Sequence, residues 1–258
     1  MHSKPSVIKQ RLQSDLPSIV FSPTPSPTTY FVEMAALAGY HGIWIDHEHQ
    51  NYTDQEMAAM CVACRAGGVD AMFRVRRRDN GSYFRALEIG ADGIMLPHCN
   101  SPEDAADCVR QVKFPPRGNR SIDGIEPHAR FAWVPMEDYI RQANEQSFVV
   151  VQIEEPPAVE RVEEIAAVEG VDLLFVGPGD LGVRYGDRPD PAAAVEEAVR
   201  RVAEACHRHG KRWGITAGSK EILKQRIDQG ARLVSYGSVF FFVYEHLKRV
   251  QEELQELL

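Results

Sequence analysis

The sequence predicts an α/β fold of the (β/α)8 TIM-barrel class, followed by a C-terminal helix. Three observations predict it. Eight short apolar runs recur along 258 residues, with helical patterns between them, and strands spaced this way form parallel βαβ units. No G-x-G-x-x-G motif follows the first run, which argues against a dinucleotide-binding sheet. The length suits a single barrel of ~250 residues. No shift in composition divides residues 1–258, so one domain is expected.

The elements follow in order. Residues 7–13 read as a short leading helix and 18–22 as strand 1; a Pro/Ser/Thr loop leads to a helix over 29–37. Strand 2, residues 42–46, runs into His47-Glu48-His49. Asp54 is the expected cap of a helix reaching Cys64, since its short carboxylate accepts from free first-turn amides. Strand 3, residues 71–75, ends in Arg76, Arg77 and Arg78. A helix over 82–89 is followed by Gly90, suited to a helix C-terminus. Strand 4, residues 93–97, ends at His98 and Cys99, and Pro102 sits in the first turn of the next helix. Residues 114–134 are irregular and rich in Pro, Gly and Arg; so long a loop in a compact domain is functional or disordered. A helix over 136–146 leads to strand 5, ending at Glu154, and a helix over 157–168 leads to strand 6, ending at Asp180. Helices over 191–209 and 219–229 alternate with strands over 212–216 and 232–236, and a last helix spans 241–258.

Composition narrows the function classes. A formal net charge of -8 argues against nucleic acid or an anionic membrane as partner. Five cysteines without regular spacing do not form a disulfide framework, so a cytoplasmic location is expected. Cys61-Val-Ala-Cys64 lies in a helical stretch, where cysteines act as small buried hydrophobes. The first fifteen residues lack the apolar core of a signal peptide. No apolar run approaches the ~20 residues of a membrane span.

The chemistry is expected at the carboxyl ends of the strands, where barrels of this class carry their sites. Residues 149–154 and 171–180 are apolar runs that finish in Glu154 and Asp180. A charge at the end of a buried strand needs a partner, because desolvating it is costly. Two such carboxylates suit a hard divalent cation; a helix cap for one and an arginine for the other would also satisfy them. Strand ends 2 to 5 add Glu48, His49, Arg74, His98 and Gln152. A base, a cation and two carboxylates are the parts needed to remove a proton beside a carbonyl and stabilise the enolate. Of seven lysines only Lys220 lies near this face, at a helix start, which disfavours a Schiff base.

These residues resemble the class II pyruvate aldolases of the HpcH/HpaI type. Asp46-His-Glu48-His49 is similar to the family's D-x-E-H, and Val151-Gln-Ile-Glu154 to its VQIE. Val168-Glu-Gly-Val-Asp172, continuing to Gly177-Pro-Gly-Asp180-Leu181, resembles VEGVD…GP-x-DL, and Pro115-Pro-Arg-Gly118 with Arg120 resembles PP-x-G-x-R. The likeness spans nearly the whole chain, with the motifs in order.

The resemblance implies a divalent metal ion (Mg, Mn or Co) on Glu154 and Asp180, with Glu48 orienting a water beside it. It implies His49 as general base and Arg74 as stabiliser of the enolate. Gln152 and the backbone around Gly179 and Asp180 would hold the donor carboxylate. Glu88 replaces the aspartate that the family commonly pairs with its histidine. His47 and His98 depart from the pattern: His47 with His49 could make a zinc-type pair, and His98 lines the pocket or recognises the acceptor. Residues 121–124 also depart from the family's glycine-rich continuation. The expected reaction cleaves or forms 2-oxo-4-hydroxy acids from a pyruvate or hydroxypyruvate enolate and an aldehyde. An oxaloacetate-type decarboxylase and a weakly catalytic oxo-acid-binding protein are the alternatives. Phe241, Tyr244, Leu247, Leu254 and Leu258 form an apolar stripe on the last helix, and the resemblance implies a homo-oligomer, trimer or hexamer, in which that helix packs on a neighbour.

Overall fold

The structure, a computed structural model, describes residues 5–77 and 82–257; Arg78 and Leu258 lie outside them. Eight parallel strands close into a barrel in sequence order. They are β1 (Ser18–Ser22), β2 (Gly42–Asp46), β3 (Asp70–Arg74), β4 (Gly93–Leu96), β5 (Phe148–Ile153), β6 (Leu173–Val176), β7 (Arg212–Ala217) and β8 (Leu233–Ser238).

Alternate residues of each strand fill two cores. Val20, Trp44, Met72, Met95, Val150 and Phe175 point into the barrel. Ile43, Ile45, Phe73, Ile94, Val151 and Leu174 pack outward against the helices. Both faces are therefore buried, which explains why β2 to β6 read as continuous apolar runs. The leading helix α1 (Val7–Gln13) plugs the amino-terminal end, with Ile8 and Leu12 in the inner core. Asp70 fixes it by accepting from Ser6 Oγ at 2.6 Å and Ile8 N at 2.7 Å. Polar side chains at the other end are left to line an open mouth.

The connecting helices are α2 (Thr29–Leu37), α3 (Asp54–Gly67), α4 (Ser82–Ile89), α5 (Pro102–Val112), α6 (Met136–Gln146), α7 (Pro156–Glu160), α8 (Val162–Ala166), α9 (Pro178–Arg184), α10 (Pro191–Arg208) and α11 (Lys220–Asp228). Four readings need correction. The cap of α3 is Thr53, not Asp54: Thr53 and Glu56 exchange side-chain and backbone bonds in a capping box, which places Asp54 inside the first turn. The helix expected over 157–168 is two short helices that break at Arg161. The stretch 114–134 is not structureless: it carries a 3-10 turn, Pro127–Ala129, and packs Phe114, Ala129 and Val134 on Tyr139.

The fourth correction bears on the site. Strand β6 stops at Val176, and Asp180 lies in the first turn of α9. Pro178 lacks the amide a strand would need and instead opens a helix. The final helix α12 (Val239–Leu257) buries Val239 alone among its residues. Its Phe241, Tyr244, Leu247 and Leu254 are exposed.

Candidate active site

Asp46 and Arg74 face each other in register on β2 and β3. Arg74 donates to both oxygens of Asp46, from Nε at 3.0 Å and Nη2 at 2.7 Å. Its third nitrogen, Nη1, lies 3.1 Å from Glu48 Oε2. The guanidinium also sits 5.0 Å from the Trp44 ring centroid, a cation–π contact that holds it flat at the barrel mouth. Asp46 has a second task. Its Oδ1 accepts from the amides of Glu48 at 3.1 Å and His49 at 3.3 Å, which sets the turn that presents both side chains.

Glu48 is the hub. Besides Arg74 it meets His49 Nε2 at 3.6 Å and His98 Nε2 at 3.3 Å. His49 is otherwise open to solvent, with its side chain 60% exposed. His98 holds a left-handed backbone at φ 50°, uncommon for a non-glycine residue. That conformation lets its amide donate to Glu154 Oε1 at 2.7 Å. Its Nδ1 lies 2.9 Å from Glu155 and 3.3 Å from Glu154.

Glu154 is 1% exposed and is the most buried acid of the group. Gln152 Nε2 donates to its Oε2 at 2.6 Å. Burial above all raises the carboxyl's pKa, and the negative charges of Asp180 and Glu48 add to the rise; the His98 amide and ring oppose it. The chain is drawn tight here. A Cβ on Gly177 would lie 2.7 Å from Glu154 Oε2 and 3.0 Å from Gln152 Nε2, so only glycine fits between strand β6 and this carboxylate. Asp180 is more open, and Arg184 one turn on donates to it at 2.6 Å.

These placements test a metal ion. The donors are oxygens, the negative charges of Asp180 and Glu48 reach Glu154, and Gln152 Oε1 is buried without a donor beside it. Such a pole fits a hard divalent cation. Glu154 and Asp180 would hold it, with water and substrate as remaining ligands. Among the described residues no three His, Cys, Asp or Glu side chains are grouped to hold a metal by themselves. Among those residues no third His, Cys, Asp or Glu is grouped with the zinc-type pair of His47 and His49.

The sequence-derived set comes together only in part. Glu48, His49, Arg74, His98, Gln152 and Glu154 form one connected group. Gln152 donates its amide N–H to Glu154. His98 is engaged with three carboxylates, which makes it a holder of Glu48 and Glu154. Glu88 does not pair with His49: it lies on α4, 3.5 Å from Arg85, and its charge acts on Arg120 and Tyr139. Sequence reading gave no role to Asp46, Glu155 or Arg184. An acid ending one strand opposite an arginine ending the next was the available signal for Asp46.

Fold and site define a class: a (β/α)8 barrel with a buried carboxylate, a clamped arginine and an exposed histidine at its carboxyl end. Comparison with known proteins gives the family. The sequence model described as HpcH/HpaI aldolase/citrate lyase matches residues 18–243, and the chain belongs to that family. A hydroxypyruvate/pyruvate aldolase of Delftia acidovorans is 35% identical over 211 residues, covering 81% of this chain and 78% of that protein. A 4-hydroxy-2-oxo-heptane-1,7-dioate aldolase of Shigella sonnei is 30% identical over 215 residues, covering 81% and 80%. The solved HpcH/HpaI aldolase of Desulfitobacterium hafniense matches with TM-score 0.91 at 26% identity, over 97% of each chain.

Proposed function

We propose that this chain is a divalent-metal-dependent aldolase that makes or cleaves 2-oxo-4-hydroxy acids through the enolate of pyruvate or hydroxypyruvate. The observation that carries the reading is the unbroken line of contacts from Arg74 through Glu48 to His98 and Glu154. It sets a fixed cation and a buried acid on either side of one acidic residue. The names of the relatives agree with it.

A divalent cation on Glu154 and Asp180 would supply Lewis acidity at the donor's keto oxygen. Mg, Mn and Co all suit oxygen donors. Arg74, fixed by Asp46 and Trp44, faces the charge that builds on that oxygen. Glu48 holds the ring of His49 within reach, and His49 takes the proton from the donor's C3. Gly179 has open space around it, so the backbone amides of Gly179 and Asp180, in the first turn of α9, are suited to hold the donor carboxylate with Gln152.

The half-reaction can be measured without knowing the aldehyde. Pyruvate methyl protons should exchange with deuterated water only when a divalent cation is present. In His49→Ala the exchange should fall by ~10²–10⁴, the usual worth of a positioned base. Borohydride should trap no adduct, since no lysine is proposed to attack. Metal-independent exchange, or a trapped lysine, would sink the reading. Oxaloacetate decarboxylation needs no base at C3, so a decarboxylase would instead survive His49→Ala.

Beyond its first turn, the exposed Tyr244, Leu247 and Leu254 of α12 support a homo-oligomer, trimer or hexamer, with this part of the helix packed on a second copy. Light scattering should give a mass several times that of one chain. Leu247→Glu combined with Leu254→Glu should lower it, and an unchanged mass would remove α12 from the interface. No helix among the described residues is long and apolar enough to cross a membrane. Five free, buried cysteines support a cytoplasmic place.

A further inference from the structure

The mouth of the barrel is divided. His98, Glu154, Glu155 and Asp180 crowd the side built by β4 to β6, and Glu48 reaches over from the end of β2 to meet His98 there. The opposite side, above β7, β8 and β1, opens into a cavity of about 770 Å³ that reaches back to Arg74 and Asp46. Its character is different. Phe240, Phe241 and Phe242 wall it from the first turn of α12, and Trp44 forms its floor.

The wall is built in. Gly237 adopts φ 82°, and a Cβ there would lie 2.4 Å from Phe242 Cζ, so glycine makes room for that ring. Phe242 stacks on Phe21 at 5.9 Å between centroids, and Phe240 meets Phe241 at 5.4 Å. The amide of Phe240 donates to Thr24 O at 3.0 Å, and that of Phe241 to Ser238 Oγ at 3.2 Å. The first turn of α12 is thereby tied across the end of β1.

Charge decides what can enter. Among the described residues Arg74 is the only basic one that lines the cavity, and its charge is already shared by Asp46 and Glu48, which leaves its remaining N–H groups to the donor oxygen. The other charged lining residues are Asp46 itself and Glu245 on the rim. A second carboxylate carried here would meet a cation already balanced by two acids and would face the like charge of Glu245, while losing part of its hydration.

From this division we infer that the cavity is the acceptor site, and that the acceptor is an uncharged aldehyde with an aromatic or large apolar substituent. The inference rests on the aldolase reading and adds the substrate class. In the reaction the donor's C3 loses a proton and bonds to the aldehyde carbon, and the aldehyde oxygen gains a proton to become the 4-hydroxyl. The aldehyde carbon must approach the donor near Arg74, which leaves its substituent on the phenylalanine wall.

The test compares benzaldehyde with succinic semialdehyde as acceptors, with pyruvate as donor and the cation present. The kcat/KM should favour benzaldehyde by at least about tenfold, within the range a hydrophobic pocket confers. Phe242→Ala should lower that ratio by about tenfold. Glu245→Gln, an isosteric change at an exposed position of the cavity rim, should lower the ratio by raising the semialdehyde's kcat/KM. A preference for succinic semialdehyde, or a ratio that neither substitution moves, would overturn the inference. Pyruvate exchange in the unaltered enzyme reports separately on the aldolase reading. Exchange without the preference overturns the acceptor class alone; absence of exchange overturns both.

Discussion

Glu154→Gln should abolish the stabilisation that Mn²⁺ gives the folded protein and reduce cation-dependent pyruvate exchange by at least ~10²–10³. In the absence of metal it should leave the melting temperature unchanged or raised. The two effects have opposite sign for one reason. Burial and two neighbouring negative charges make ionised Glu154 costly in the folded chain, and an isosteric amide removes that cost. The His98 amide at 2.7 Å still finds a carbonyl oxygen to donate to, and Gln152, by turning its amide over, offers the new NH2 its own unpartnered Oε1 in place of Nε2. What is lost is the charge that a divalent cation requires. A ligand that binds only the native state raises its stability in proportion to RT ln(1 + [L]/Kd), so Mn²⁺ should raise the melting temperature of the parent protein and leave the variant's unchanged. Thermal melts with and without Mn²⁺ check this. An equal shift in both proteins would move the cation away from Glu154.

Much of this site was legible in the chain because the barrel buries both faces of its strands. Apolar runs such as Phe148–Ile153 leave charges nowhere to go but the strand ends, so Glu48, Arg74, His98 and Glu154 announce themselves. Partnerships were harder to read. Asp46 looks like one more terminal acid until the register sets it opposite Arg74, and register between strands is a property of the closed sheet. Glu88 is hard to read for a related reason: helical periodicity says that α4 has a buried face, but not that the contact of Glu88 is with Arg85 and that its charge reaches Arg120 and Tyr139. Asp180 was placed on a strand that Gly177 and Pro178 end early. The cavity could not be foreseen, because it depends on the angle at which α12 leaves β8.

Arg74→Ala should damage both activity and fold. The side chain is 11% exposed and serves two acids at once, Asp46 at 2.7 Å and Glu48 at 3.1 Å. Removing it leaves buried Asp46 without its cation and half-buried Glu48 with only its histidine neighbours, and breaking a buried pair this way costs ~3–5 kcal/mol. Asp46 also holds the turn that presents Glu48 and His49 through their amides, so its displacement would carry the proposed base with it. The loss in pyruvate exchange should reach ~10²–10³ or more, the worth of a fixed charge at a developing oxyanion. Arg74→Lys separates the two effects. It keeps a positive charge but cannot bridge both oxygens of Asp46 and reach Glu48. Denaturant melts of Arg74→Lys should therefore recover most of the stability, while exchange stays well below that of the parent. Full exchange in either variant would remove Arg74 from the chemistry. A stable Arg74→Ala protein without exchange would show that Asp46 and Glu48 tolerate each other without it, and would confine Arg74 to the oxyanion.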